Sequence, residues 1–296
     1  MANMEWYYTP YGGTEQNLLG TGVRMLSYDG FGLPRRVPQS TRMPLMDGVH
    51  HLDDEIYTPE RYMHLVLLVQ GTDYSDWKTQ DDALLDKLIG IQETNAMGTL
   101  RIVKPNGQQR KIQCALLEYP NDHDMSYQPW SSRRVLTFYA PDPMFLAVSA
   151  NQNLLSKVLV DLTVSGYLYP AIWPWGGYAE MGAVQITVNN AGNAPAYPRF
   201  YGYGPLANPL FYNATTGEWL QIPVTVATDQ LLAVYFDTGE WMYWIDSVTQ
   251  PWQSTFILGS TLWQLQVGDN EIVFAAEGLD PTQLMIEYHY DRYKAL

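Results

Sequence analysis

A single cysteine, Cys114, stands in 296 residues. No intrachain disulfide can form, which fits assembly in a reducing compartment, and the thiolate sets that hold structural zinc are excluded. Basic residues are scarce as well: 17 Lys and Arg against 31 Asp and Glu leave a formal net charge of −14. The shortage runs through both halves, with 13 basic against 18 acidic groups in residues 1–150 and 4 against 13 in residues 151–296. Gripping a nucleic-acid backbone needs clusters of cations that release counterions, and this chain would instead repel a polyanion sliding past it. No apolar run approaches the ~18–20 residues of a membrane-spanning helix. The opening MANMEWYYTPYGG lacks the basic-then-apolar order of a signal peptide. There is no GxSxG, Walker or HExxH pattern, and Gly20-Thr21-Gly22 and Gly202-Tyr203-Gly204 are not completed into a dinucleotide loop.

What is present is apolar and aromatic. Hydrophobic residues make up 46% and aromatics 14%, enough for a sizeable core and suited to β structure. Strand signals begin at VRMLSY (23–28), followed by a DGFGLP turn. HHLDDEIY (50–57) and RYMHLVLLV (61–69) flank TPE and read as an extended hairpin, its second limb apolar enough to be buried on both faces. TQDDALLDKLIGIQET (79–94) is the one convincing helix, with Thr79 and Asp82 spaced as a capping box and Leu84, Leu85, Leu88 and Ile89 as its stripe. Asn106-Gly107 predicts a tight hairpin returning through KIQCALLEY (111–119), and RRVLTFYAPDP (133–143) supplies another strand. Beyond residue 150 no second helix is signalled. Strands instead recur at short intervals: AVQITV, FYNAT, WLQIPVTV, LLAVYF, WMYWI, TFILG, WQLQV, EIVFAA and LMIEYHY. The proline-laden aromatic run 167–178 does not suit a central strand. The expectation is a mainly β chain of two domains: 1–150, with one helix and an extended hairpin, and 151–296, a β-sandwich or jelly roll.

Chemistry is thinly represented. In HHLDDE, His51, Asp53 and Glu55 share one strand face and His50 and Asp54 the other; half a metal site competes with a charged, solvated strand. Ser75-Asp76-Trp77-Lys78 matches SxxK, but neither partner motif, SDN or KTG, occurs. Glu218, Asp237, Glu240 and Asp246 lie near Trp219, Trp241 and Trp244, an association found in sugar clefts, although Asp and Glu also fill turns simply because turns are solvated. No residue is assigned a catalytic, cofactor-binding or metal-ligating role.

One segment is more informative. In VNNAGNAPAYPRFYGYGPLANPLFYNATTGEWL, the elements Asn190, Gly192, Asn193, Pro195 and Pro198, then Gly204-Pro205, Asn208-Pro209, Asn213 and Thr215-Thr216-Gly217, resemble the signature of distal tail proteins of long-tailed bacteriophages. YWIDS (243–247) and STLWQLQVGDNEIVF (260–274) resemble later parts of that pattern. GFGLP, the long hairpin, the single helix and FYAPDPMF (138–145) resemble the family's N-terminal domain. The resemblance covers nearly the whole chain and is most specific over 184–274. It implies a non-enzymatic virion protein, made in the host cytoplasm, whose first domain is a β-sandwich that forms a hexameric ring. The ring would join the tail tube protein to the tail-tip hub protein, with DNA only in transit through its channel and no membrane insertion. The resemblance implies a galectin-like second domain that can carry receptor-binding proteins or side fibres, and an intersubunit surface within residues 35–70. A glycan-binding protein acting through the aromatic second domain remains the alternative.

Overall fold

The computed structural model describes residues 4–35, 37–41, 50–57, 59–88, 97–118, 130–148, 155–161, 181–236, 242–246, 248–250, 259–277 and 284–296. The chain is mainly β, with one α-helix among these residues. It divides into two compact units: Met1–Ala150 together with Tyr293–Leu296, and Asn151–Arg292.

The first unit contains β1 (Glu5–Thr9), β2 (Gln16–Asn17), β3 (Val23–Asp29), β4 (Val37–Thr41), β5 (His50–Tyr57), β6 (Arg61–Gln70), α1 (Tyr74–Leu88), β7 (Gly98–Val103), β8 (Gln109–Glu118), β9 (Ser131–Ala140) and β10 (Phe145–Val148). Its principal sheet runs β2-β1-β7-β8-β9-β6-β3. Strand β8 carries the sheet around the core, because its first half pairs with β7 and its last residues pair with β9. Inward positions alternate along each strand as a half-buried sheet requires. Trp6 and Tyr8, Met63, Leu65, Leu67 and Val69, Leu100 and Ile102, and Leu136 and Phe138 thereby meet in one cluster. The hairpin through Asn106-Gly107 forms as expected, closed by Lys104 N–H to the Gln108 carbonyl at 2.8 Å.

Two elements differ from the sequence reading. HHLDDEIY does not pair with RYMHLVLLV: β5 pairs with β4, and both edges of β6 are taken by β3 and β9. The extended hairpin is therefore β4–β5, and β6 is a central strand of the sandwich. The helix starts earlier than Thr79. Asp73 Oδ1 accepts the Asp76 N–H at 2.9 Å, and Asp76 Oδ2 accepts the Thr72 N–H at 2.8 Å, so the cap lies at 72–76. Thr79 instead donates its hydroxyl to the Ser75 carbonyl at 2.8 Å, inside the helix. The buried stripe is Trp77, Asp81, Leu84 and Leu88; a carboxylate at its second position hid the first turn from an apolar count. Residues 89–94 of the expected helix lie outside the described residues.

The second unit contains β11 (Leu155–Asp161), β12 (Met181–Asn190), β13 (Arg199–Tyr203), β14 (Leu206–Asn213), β15 (Glu218–Gln221), β16 (Thr225–Val226), β17 (Leu231–Tyr235), β18 (Met242–Ile245), β19 (Val248–Gln250), β20 (Gly268–Glu277) and β21 (Leu284–His289). One sheet runs β11-β21-β13-β17-β18-β19; the other runs β12-β20-β14-β15, with β16 also on β14. Phe200, Leu232, Val234 and Tyr243 of the first sheet and Val188, Phe211, Leu220, Ile272 and Phe274 of the second share one core. WQLQV is not a strand. Leu265 makes an isolated bridge to Ala196, while Trp263 turns into the core and donates Nε1–H to the Phe211 carbonyl at 3.1 Å. TFILG and the aromatic run 167–178 lie largely or wholly outside the described residues.

The short strand β22 (Arg292–Tyr293) pairs with β10, and the last four residues belong to the first unit. This differs from the expected 151–296 division. The reason is packing: Tyr293 and Leu296 lie against the first unit's core, and the Arg110 guanidinium sits 3.5 Å from the centre of the Tyr293 ring.

Candidate interaction surfaces and the signature segment

Three asparagines of the resembling segments, Asn190, Asn213 and Asn270, are buried and each fixes a turn, while Asn193 is exposed and Asn208 partly buried. Asn190 Nδ2 donates to the carbonyls of Ala194 at 2.9 Å and Leu265 at 3.3 Å, while its Oδ1 accepts the Gly192 N–H at 3.0 Å. Asn213 Oδ1 accepts the N–H groups of Thr215 and Thr216, closing the turn before β15. Asn270 Nδ2 donates to Gln266 and Gly268 carbonyls, and its Oδ1 accepts Gln266 N–H at 2.8 Å. A buried amide matched on both its donor and acceptor sides stands in for missing ladder bonds where strands end. The signature is thus architecture.

The Asn190–Asn193 turn also grips the chain leaving the unit. Ala191 N–H donates to Asp291 Oδ1 at 3.1 Å, and Asn193 and Ala194 N–H both donate to the Arg292 carbonyl, at 2.9 and 3.1 Å. Buried His289 lies beside this contact, Nε2 3.3 Å from Asp291 Oδ1. A Cβ on Gly192 would stand 2.4 Å from the Arg292 carbonyl oxygen and 2.8 Å from its nitrogen. Backbone on that side cannot withdraw cheaply. Gly192→Ala is expected to cost about 1–3 kcal/mol, read as a lower midpoint of chemical unfolding; a midpoint equal to wild type would show that the turn yields.

The candidates for chemistry do not converge. Ser75 and Lys78 lie in the first turns of α1, where Lys78 Nζ is 2.6 Å from Asp82 in an exposed pair. His50, His51, Asp53, Asp54 and Glu55 occupy β5, which pairs only with β4 among the described strands. Glu218 lies on the five-stranded sheet, whereas Asp246 follows β18 of the other sheet and accepts the Leu231 N–H at 2.8 Å. Asp237, Glu240 and Trp241 lie outside the described residues. Among the described residues no group of three His, Cys, Asp or Glu could hold a metal ion, and no helix is long and apolar enough to cross a membrane. Cys114 is buried, and burial pushes its thiol up to about 12, so it stays protonated and a poor nucleophile at neutral pH.

Trp244 belongs to an aromatic cluster on the outward side of the six-stranded sheet. Its ring centroid lies 4.5 Å from Tyr235, which lies 5.6 Å from Tyr201 and carries the Arg199 guanidinium 4.7 Å from its centre. These rings pack on one another, a structural role that competes with stacking on a sugar.

The first unit presents a different surface. Tyr62, His64, Val66 and Leu68 of β6 alternate with the core residues and face away from them, beside Arg133, Val135, Thr137 and Tyr139 of β9. Both flanking strands bulge here: Leu26 is the extra residue of β3 and Leu117 that of β8, and both are 52% exposed. Tyr62 is exposed and its ring lies 5.4 Å from Tyr139. Arg24 and Arg133 both stand opposite Leu68 on neighbouring strands, exposed and with no ion pair among the described residues. Helix α1 covers the opposite side of β6, through Trp77, Leu84 and Leu88. The sequence singled out β6 as apolar enough to be buried on both faces; one side meets the core, and on the other Val66 is buried while Tyr62 is exposed.

The fold defines a class. Over 96% of this chain and 98% of the other, it matches the SPP1 Dit protein, described as a paradigm of the hub adsorption apparatus in phages that infect Gram-positive bacteria, with a TM-score of 0.59 at 14% identity. A chain of the phage P2 baseplate in its activated, calcium-containing conformation matches over 94% of this chain and 99% of its own, at 9% identity and a TM-score of 0.45. Neither a family model nor a curated protein matches the chain in sequence. The fold is Dit-like, and the resemblance read from 184–274 holds at that level.

Proposed function

We propose that this chain is a structural protein of a phage tail tip, in which the first unit forms a ring between the tail tube and the hub and the second carries parts used in host attachment. The observation that carries the reading is likeness in fold to the SPP1 Dit protein along almost the full length of both chains. The first unit exposes Leu26, Tyr62 and Leu117 on three strands of one sheet, apolar surface suited to a partner. An acidic chain of net charge −14 also suits a conduit through which DNA must pass without sticking. The ring is taken to be a homo-hexamer, assembled in the host cytoplasm and incorporated into the virion.

Native mass spectrometry and negative-stain microscopy test this on the purified chain, alone and mixed with the tail tube protein of the same phage. Six-fold particles are expected in at least the mixture. A chain that stays monomeric and binds no tube protein would overturn the proposal.

A further inference from the structure

We infer that residues 293–296 act as a strap that completes the first unit only after the second has been synthesised. The inference is independent of the ring proposal and rests on contacts within the first unit. Arg61, 5% exposed, donates Nη1–H to the carbonyls of Gly30 at 2.8 Å and Gly32 at 2.9 Å, and Nη2–H to the carbonyl of Lys294 at 2.8 Å. Carbonyls of the strap and of the Gly30–Gly32 turn thus accept from this buried cation, and the Asp142 charge also acts on it. Burial draws its guanidinium down to about 10, still charged at neutral pH. The same cation lies 4.8 Å from the centre of the Phe145 ring, in β10.

The strap is tied at three more points. The Tyr293 ring lies under Arg110, itself only 7% exposed. Leu296 N–H donates to the Phe31 carbonyl at 3.0 Å, and Tyr293 and Leu296 pack on the cluster that includes Phe31 and Phe145. Without the strap, a buried guanidinium loses an acceptor, a second loses its aromatic partner, and core side chains lose cover. Leaving buried charge short of partners is among the larger penalties open to a fold.

Domains generally fold in the order of synthesis, N-terminal first. Here the first unit has its last element after residue 292, so a nascent chain that has made only residues 1–150 lacks part of its own packing. The strap thereby delays a fully closed first unit until the second exists. An incomplete chain is kept from presenting a finished first unit.

A chain ending at Arg292 reproduces the state just before the strap is made. Amide hydrogen exchange on it should be at least tenfold faster than in the full chain in peptides spanning 28–32 and 145–148, and unchanged in peptides from β12 and β20. Tyr293→Ala at full length should give the same pattern to a smaller extent, and it decides the matter if the shortened chain is insoluble. Unchanged exchange in the first unit, or equal acceleration in both units, would overturn the inference.

Discussion

Replacing Arg134 with alanine is expected to destabilise the first unit by about 3–5 kcal/mol. Arg134 Nε and Nη2 meet Asp81 Oδ1 and Oδ2 at 2.8 and 2.6 Å, a two-pronged contact between side chains only 2% and 1% exposed. Neither partner is solvated by bulk water, and each lies against the other's opposite charge. Removing the cation leaves a buried carboxylate without this counter-charge, and Asp81→Ala does the same to the guanidinium at comparable cost. The pair joins α1 to β9, beside a bond from Trp77 Nε1–H to Ser132 Oγ at 3.1 Å. The loss should therefore appear as faster exchange in α1, β6 and β9.

A double variant separates the pair's worth from the cost of breaking it. Asp81→Leu with Arg134→Met removes both charges and keeps apolar volume, and such replacements are often neutral or stabilising. It should recover most of the stability that either alanine variant loses. A double variant as unstable as the singles would show that the pair contributes through shape or wider bonding and not through mutual neutralisation.

Much of the architecture was legible in the sequence because the physics is local. Alternating apolar runs predicted strands β7, β8, β9, β12 and β20, and Asn106-Gly107 marked its hairpin because that turn's chemistry resides in two residues. What was not legible depends on partners distant in sequence. Nothing near HHLDDEIY shows that β6 is already taken on both edges. Nothing near Asp81 announces Arg134, 53 residues on, so the helix's true stripe looked interrupted. The strap was missed for the same reason: Tyr293 meets Arg110 and Lys294 meets Arg61 across most of the chain. The signature segment was readable as a pattern, while its buried asparagines acquire their meaning only from carbonyls supplied by the 264–268 loop and neighbouring turns.

Introducing charge at Leu26 and Leu117 together is expected to abolish assembly while leaving the fold intact. Both leucines are half exposed in the single chain and lie outside the buried core, so substitution there costs the fold little. Each is the extra residue of a bulge, the device by which a strand re-aims a side chain, and the bulges lie on the two strands flanking β6 and β9. If a neighbouring subunit covers this face, Leu26→Asp with Leu117→Asp buries two unpaired carboxylates at every contact. A penalty of about 2 kcal/mol or more at a contact centre weakens association by on the order of 30-fold, and two such sites by far more. Tyr11→Asp is the control: Tyr11 is as exposed but lies by the β1–β2 edge, at the other end of the sheet order. Six-fold particles should persist for the control and vanish for the double variant, with both giving wild-type unfolding midpoints. Full assembly by the double variant would move the subunit contact elsewhere on the first unit. The ring itself would be refuted only by a wild-type chain that never assembles.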